Sequence, residues 1–182
     1  MMPSLPFDGS RLDCETLRMT TVFHAPDHDH ARCEADVLAE AERWCAAHAL
    51  RLTPTRRKVL AVLGSGHRPL GAYEIMDRLA EGGPRPAPIT VYRALDFLLE
   101  NGLVHRIASR NAFIACIRNH ATSENVVFLI CERCGAVGEA SSAAVMQTLQ
   151  AAAAQAGFTP KLPVVEIAGL CAHCRAAERA SS

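Results

Sequence analysis

Apolar and polar positions follow different rhythms in successive parts of this chain. From Glu34 the apolar spacing is three and four residues, and Val37, Leu38, Ala41, Cys45 and His48 fall on one helical stripe. The stretch LTPTRRKVLAVLGSG predicts a second helix, with Thr53 as its N-cap, Pro54 at the first helical position and Gly64 as its stop. A third helix is expected over about Ala72 to Leu79, burying Ile75, Met76 and Leu79. After the Gly- and Pro-rich loop EGGPRPAP comes a fourth, ITVYRALDFLLENG. Its inner face is Val91, Leu95, Leu98 and Leu99, its outer side carries Thr90, Arg93, Asp96 and Glu100, and Gly102 ends it.

The rhythm then shortens. LVHRIA and AFIACI are two short β-branched runs joined by Ser109, Arg110 and Asn111, which reads as a hairpin. Helices followed by a hairpin predict a winged helix-turn-helix over residues 35–112. In residues 113–182 the pattern changes again: strands at NVVFLI, AVGEA and PVVEIAGL surround an Ala-rich helix, SSAAVMQTLQAAAAQAG. The expected class is α+β, a winged helix followed by a small α/β unit with an antiparallel sheet. There is no internal repeat.

Residues 1–34 read as a disordered tail, because Pro3, Pro6 and Gly9 interrupt any period and HAPDHDHARC is polar. Two readings of this stretch stand: a metal-collecting arm using His24, His28, His30 and Cys33, or an unstructured extension, with Met19 as the true initiator.

Composition narrows the classes. Of 182 residues 49% are hydrophobic, enough for a packed core. No segment approaches the roughly 20 apolar residues of a membrane helix, and the N-terminus lacks the apolar run of a signal peptide. The chain is therefore expected in the cytoplasm, away from membranes, where thiols stay reduced. The net charge of zero conceals a central segment, residues 36–118, at about +4 between acidic flanks. A basic module beside a neutral one suits nucleic acid.

Four of the eight cysteines form two pairs, Cys131/Cys134 and Cys171/Cys174. Such pairs can supply four thiolates to a tetrahedral zinc ion, and Gly135 directly after the first gives a tight knuckle turn. The 36 intervening residues mean that the site would tie distant elements together. A redox dithiol is the competing reading. It requires a cysteine at a helix N-terminus, whereas the first pair ends one strand and precedes another. A closed four-cysteine site leaves no open coordination position, so it would be structural.

A second group is more scattered: His105 and Cys116 in the hairpin strands, His120 and Glu124 in the crossover, Glu139 after the knuckle. Mixed imidazole, thiolate and carboxylate donors suit exchangeable zinc and would bridge the two modules. Each has an ordinary reading too: a core thiol, a surface charge, a strand histidine.

RLTPTRRKVL, ITVYRALDFLLENGLVHR and FLICERCGAVGE together closely resemble the ferric uptake regulator family, over about residues 35–175. HATSENVVFLIC lacks the run of histidines that iron and peroxide sensors carry before the first cysteine pair, and YRALDFLLENGLVH is phrased as in the zinc uptake branch. The resemblance implies a homodimer, with N-terminal winged helices on DNA and residues 113–182 forming a zinc-binding dimerisation domain. It matches Cys131, Cys134, Cys171 and Cys174 to structural zinc ligands, and His105, Cys116 and Glu139 to a sensing site. For the fourth sensing ligand, ungapped alignment offers Glu124, while a small loop shift offers His120, the more usual donor. Tyr73 and Arg93 match positions that contact DNA. Tyr92 is next to Arg93 and Thr90 shares its side of the helix, and Arg56 and Arg57, with Arg51 and Lys58, form a basic cluster suited to phosphates.

The expected function is a repressor that binds palindromic operators of zinc-uptake genes when zinc-loaded, with two zinc ions per chain, one structural and one regulatory. It would have no catalysis and no small-molecule substrate. An iron or peroxide sensor of the same fold, or a cytosolic thiol oxidoreductase, is the alternative; the thiolate of Cys116 favours zinc over iron.

Overall fold

The computed structural model describes Phe23 and residues 29–116, 126–161 and 164–180. Four helices come first: α1 (His30–Ala47), α2 (Pro54–Gly64), α3 (Ala72–Ala80) and α4 (Pro88–Glu100). The hairpin β1 (Val104–Ile107) and β2 (Ala112–Ala115) follows, closed by a 3-10 turn at Ala108–Arg110, with Asn111 at φ 46° completing the reversal. A second unit comprises β3 (Val126–Cys131), β4 (Val137–Ser141), α5 (Ala143–Gln155), β5 (Val165–Gly169) and α6 (Ala172–Ala180). The class is α+β, as the pattern predicts.

Local chemistry explains most boundaries. Thr53 caps α2 by accepting the Arg56 N–H at 3.5 Å, with Pro54 behind it. Ser142 caps α5, and Gly102 leaves α4 with φ +65°. Leu70 exchanges backbone hydrogen bonds with Phe113 at 2.8 and 2.9 Å, adding a bridge to the hairpin.

Several boundaries differ from expectation. α1 begins at His30, inside the stretch read as tail, because the Asp29 carboxylate accepts the N–H groups of Ala31 and Arg32 at 3.0 and 3.3 Å. His30 and Cys33 are thus helical, while Met19, His24 and His28 lie outside the described residues. His48 is not in the stripe; it is exposed and stacks on Trp44, ring centroids 3.8 Å apart. Gly64 is not a stop but a helical residue at a close crossing, where an added Cβ would lie 3.4 Å from the Glu34 backbone. β2 runs across the division expected at residues 112 and 113. The second sheet, ordered β4-β3-β5, is mixed: β3 pairs antiparallel with β4 and parallel with β5, since α5 carries the chain across the sheet. The helix α6 is absent from the sequence reading altogether.

Among the described residues two hydrophobic cores form. The first packs α1–α4 on the hairpin through residues such as Leu60, Leu63, Ile75, Leu95 and Leu98, all at most 1% exposed. The second joins Ile107 and Ile114 of the hairpin to Phe128, Ile130 and Val137 of the sheet. All four residues of β2 are buried because the strand is covered on both faces. The hairpin is therefore shared by the two units, and the wing rests on the sheet.

Candidate metal centres and nucleic-acid interface

The parallel register of β3 and β5 builds the first cluster. It pairs Cys131 with Gly169, and the Glu132 N–H donates to the Gly169 carbonyl at 2.8 Å, so both cysteine pairs leave the sheet side by side. The first pair turns back at Gly135, whose φ of +75° only glycine adopts readily, and the Gly135 N–H closes the turn on the Cys131 carbonyl at 2.9 Å. The second pair opens α6, with the Cys174 N–H donating to Cys171 Sγ at 3.4 Å. The Cys171 N–H donates to Cys131 Sγ, also at 3.4 Å.

All four sulfurs lie within 4.8 Å of one another. Cys134 Sγ and Cys171 Sγ are 3.9 Å apart. Tetrahedral zinc with Zn–S bonds of about 2.3 Å requires sulfurs about 3.8 Å apart, so the cage fits the ion. Burial raises the Cys131 thiol, but N–H donors from Cys134, Cys171 and Arg133 outweigh it and hold the pKa at about 6. Cys174 is pushed up to about 12 by desolvation and by the neighbouring sulfurs. Four thiolates this close repel one another, and a divalent cation removes that repulsion. Although Cys171 does head a helix, as a redox thiol would, its convergence with three other sulfurs is the geometry of a metal donor.

The second cluster sits where wing meets sheet. His105 extends from β1, Cys116 follows β2 directly and Glu139 extends from β4, and their donor atoms all lie within 4.8 Å of one another. The antiparallel register sets His105 opposite Ile114, and the Cys116 N–H binds the Leu103 carbonyl at 3.0 Å, which brings the thiol to the same end of the hairpin. Glu139 is 4% exposed, and its Oε1 is 3.7 Å from His105 Nε2. A carboxylate is costly to bury in its charged form, and a divalent cation held beside it would offset that cost. Imidazole, thiolate and carboxylate around one point fit zinc. His120 and Glu124 lie outside the described residues.

The expected DNA-contacting residues divide into two groups. Tyr73 at 67% and Tyr92 at 41% exposure are large apolar surfaces open to solvent, with Thr90 and Arg93 exposed beside them on α4. Tyr73 and Tyr92 line one groove with Arg106 and Asn111 of the wing. Arg56 and Arg57 are engaged within the protein. The Arg56 guanidinium lies over the Phe97 ring, 3.4 Å from its centroid, and donates to the Arg51 carbonyl at 2.7 Å, while Arg57 pairs with Glu42.

Glu166 on β5 is a further site residue, whose Oε1 accepts the Ala108 N–H at 2.6 Å and whose Oε2 accepts the Ser109 N–H at 3.1 Å. Burial raises its pKa, but the bonds from Ser109 and Ala108 prevail and hold it below the usual carboxylate value. No local signal marks this residue, since its partners are almost sixty positions away. The second unit also carries an apolar surface that no motif marks, where Leu149, Phe158, Val164, Ile167 and Leu170 are exposed.

Comparison with known proteins agrees with this architecture. The model of the ferric uptake regulator family matches residues 47–167. The zinc uptake regulation protein of Escherichia coli (strain K12) is 41% identical over 139 residues, covering 76% of this chain and 81% of that protein. That of Mycobacterium tuberculosis (strain ATCC 25618 / H37Rv) is 27% identical over 133 residues, 71% of this chain and 98% of its own length. Among solved structures, a zinc uptake regulator complexed with zinc and DNA superposes with a TM-score of 0.73 at 39% identity, covering 80% of this chain and 97% of that one. Holo XcZur superposes at 0.70 with 43% identity, covering 79% and 99%. With its winged helix, its paired-cysteine cage and its second cluster between wing and sheet, this chain belongs to the ferric uptake regulator family.

Proposed function

We propose that this protein is a zinc-responsive transcriptional repressor that binds palindromic operators of zinc-uptake genes when its second metal cluster is loaded. The observation that carries the reading is the convergence of His105 and Cys116 from the wing with Glu139 from the sheet. These residues, with His120 or Glu124 as a fourth, would hold a regulatory zinc ion, and Cys131, Cys134, Cys171 and Cys174 a structural one. Zinc supplies the divalent charge that lets anionic donors gather.

The chain does the rest. Ligands divided between wing and sheet gather only when the two units sit in one relative orientation, so loading selects that orientation from an ensemble. A homodimer formed through the exposed apolar surface of α5 and β5 then carries two α4 helices at a set spacing, which matches a two-fold operator. Arg93 has the forked donors that read guanine in the major groove, and Tyr73, Thr90 and Tyr92 lie beside it for phosphate and base contacts. Arg56 supports α4 through its contact with Phe97, and Arg57, exposed on α2, would add a phosphate contact. Residues 29–116 form the DNA-reading unit and residues 126–180 the dimerising one, and the protein works in the cytoplasm.

The test is a fluorescence-anisotropy titration of the full-length protein on DNA from upstream of its own gene, over a range of buffered free zinc. Cys116→Ser is expected to remove the zinc dependence while leaving the melting curve and one bound zinc per chain in place. Normal zinc-dependent binding by Cys116→Ser would overturn the assignment.

A further inference from the structure

Beside the apolar contacts of the second core, one row of the sheet lays three side chains against β1 and the turn that follows it. Phe128 on β3 is paired directly with Glu139 on β4 and with Glu166 on β5, so the three side chains stand in line on one face. Each touches β1 or the turn after it. Glu139 reaches His105, and the Phe128 ring packs on the same imidazole with centroids 5.2 Å apart. Glu166 takes the Ala108 and Ser109 N–H groups at the start of the 3-10 turn, donors that the turn itself leaves over. Two of these contacts converge on the metal cluster, while the third holds the wing without any metal ligand.

Resting on the repressor reading above, we infer that Glu166 is a positioning residue that sets the zinc concentration at which the protein responds. The three described ligands meet only when the wing lies on the sheet. Whatever favours that arrangement in the absence of metal raises the apparent zinc affinity by the factor by which it raises the population of the arrangement. Glu166 does so through two charge-assisted hydrogen bonds made by both oxygens of one carboxylate. Its hydrogen bonds go to Ala108 and Ser109 and not to a metal ligand, Tyr73 or Arg93, so its effect falls on the threshold for zinc and not on the affinity at saturation.

The experiment compares full-length wild type, Glu166→Ala and Glu166→Gln for operator binding across buffered free zinc, with structural zinc measured by elemental analysis. In Glu166→Ala the half-response is expected at about tenfold higher zinc, the size of one lost charged hydrogen bond in a partly exposed site. Operator affinity at saturating zinc is expected within about twofold of wild type, and one zinc per chain is retained after chelation. Glu166→Gln, which keeps one acceptor oxygen, should fall between the two and serves as the conservative rescue. An unchanged threshold in both variants, or an equal loss of affinity at every zinc concentration, overturns the inference while leaving the repressor reading standing. Operator binding by wild type that ignores zinc would overturn both.

Discussion

The guanidinium of Arg56 lies over the ring of Phe97, its central carbon 3.4 Å from the ring centroid. The contact joins α2 to α4 and fixes the helix that presents Arg93 from behind. A cation over an aromatic face at a partly exposed site contributes about 0.5–1 kcal/mol, and the arginine stem adds packing. Arg56→Ala is accordingly expected to lower stability by about 1 kcal/mol. Arg93→Ala is expected to leave the melting temperature unchanged and to weaken operator binding at least tenfold. Thermal melts and anisotropy on the two variants separate a buttress from a reader; a destabilised Arg93→Ala with a fully stable Arg56→Ala would reverse the two roles.

Gly64 offers a second test of position against appearance. It lies within α2, its φ is ordinary, and a Cβ there would meet the Val37 side chain at 3.5 Å, which is normal contact. Helical glycine costs up to about 1 kcal/mol relative to alanine, less near a helix end. Gly64→Ala should therefore be stabilising, by about 0.5 kcal/mol. Gly64→Leu should cost about 1–3 kcal/mol, because the crossing of α1 and α2 has no room for a branched side chain. Chemical denaturation of the pair checks both signs.

The four-cysteine cage predicts a different kind of failure. Cys131 is fully buried at the end of the central strand, and its sulfur receives backbone N–H donors that only the folded cage supplies. Cys131→Ser is expected to abolish tight zinc retention and to lower the folded or dimeric fraction, seen by size-exclusion chromatography with light scattering, because structural zinc contributes folding energy directly. A Cys131→Ser protein of wild-type size, stability and zinc content would contradict a structural role.

Glu166 carries a pH dependence whose sign follows from its hydrogen bonds. Its folded pKa is depressed below the ordinary carboxylate value of 4.5, so its contribution is complete above that pH and is lost as pH falls through the folded pKa. Wild type and Glu166→Gln are expected to differ in stability by a constant amount from pH 6 to 8. The difference should shrink as pH falls below 4.5 and through the lower folded pKa, as protonation turns the carboxylate into a neutral group much like the amide. A gap that widens on acidification would mean that the folded pKa is raised.

Features that depend on neighbours a few residues apart are legible in the chain alone. Thr53 and Pro54 announce the start of α2, the stripe of Val91, Leu95 and Leu98 announces α4, and Gly135 announces the knuckle, because caps, helical periods and left-handed turns are properties of short segments. The cysteine pairs were legible for the same reason, each being a two-residue spacing on one turn. Even locally some signals are faint: Asp29 is a cap only if its side chain turns back on Ala31, and α6 is nine residues with no large apolar side chain. Tertiary structure decided everything that rests on strand register and on the fate of long side chains. Whether β5 runs parallel to β3, and so whether two distant thiol pairs meet, is set by the crossover through α5. Arg56 and Arg93 are alike in sequence, and only the packing of α2 against α4 turns one onto Phe97 and leaves the other facing outward. The row Glu139, Phe128 and Glu166 exists only once three strands are aligned, because side chains far apart in the chain become neighbours through backbone hydrogen bonds that no local pattern specifies.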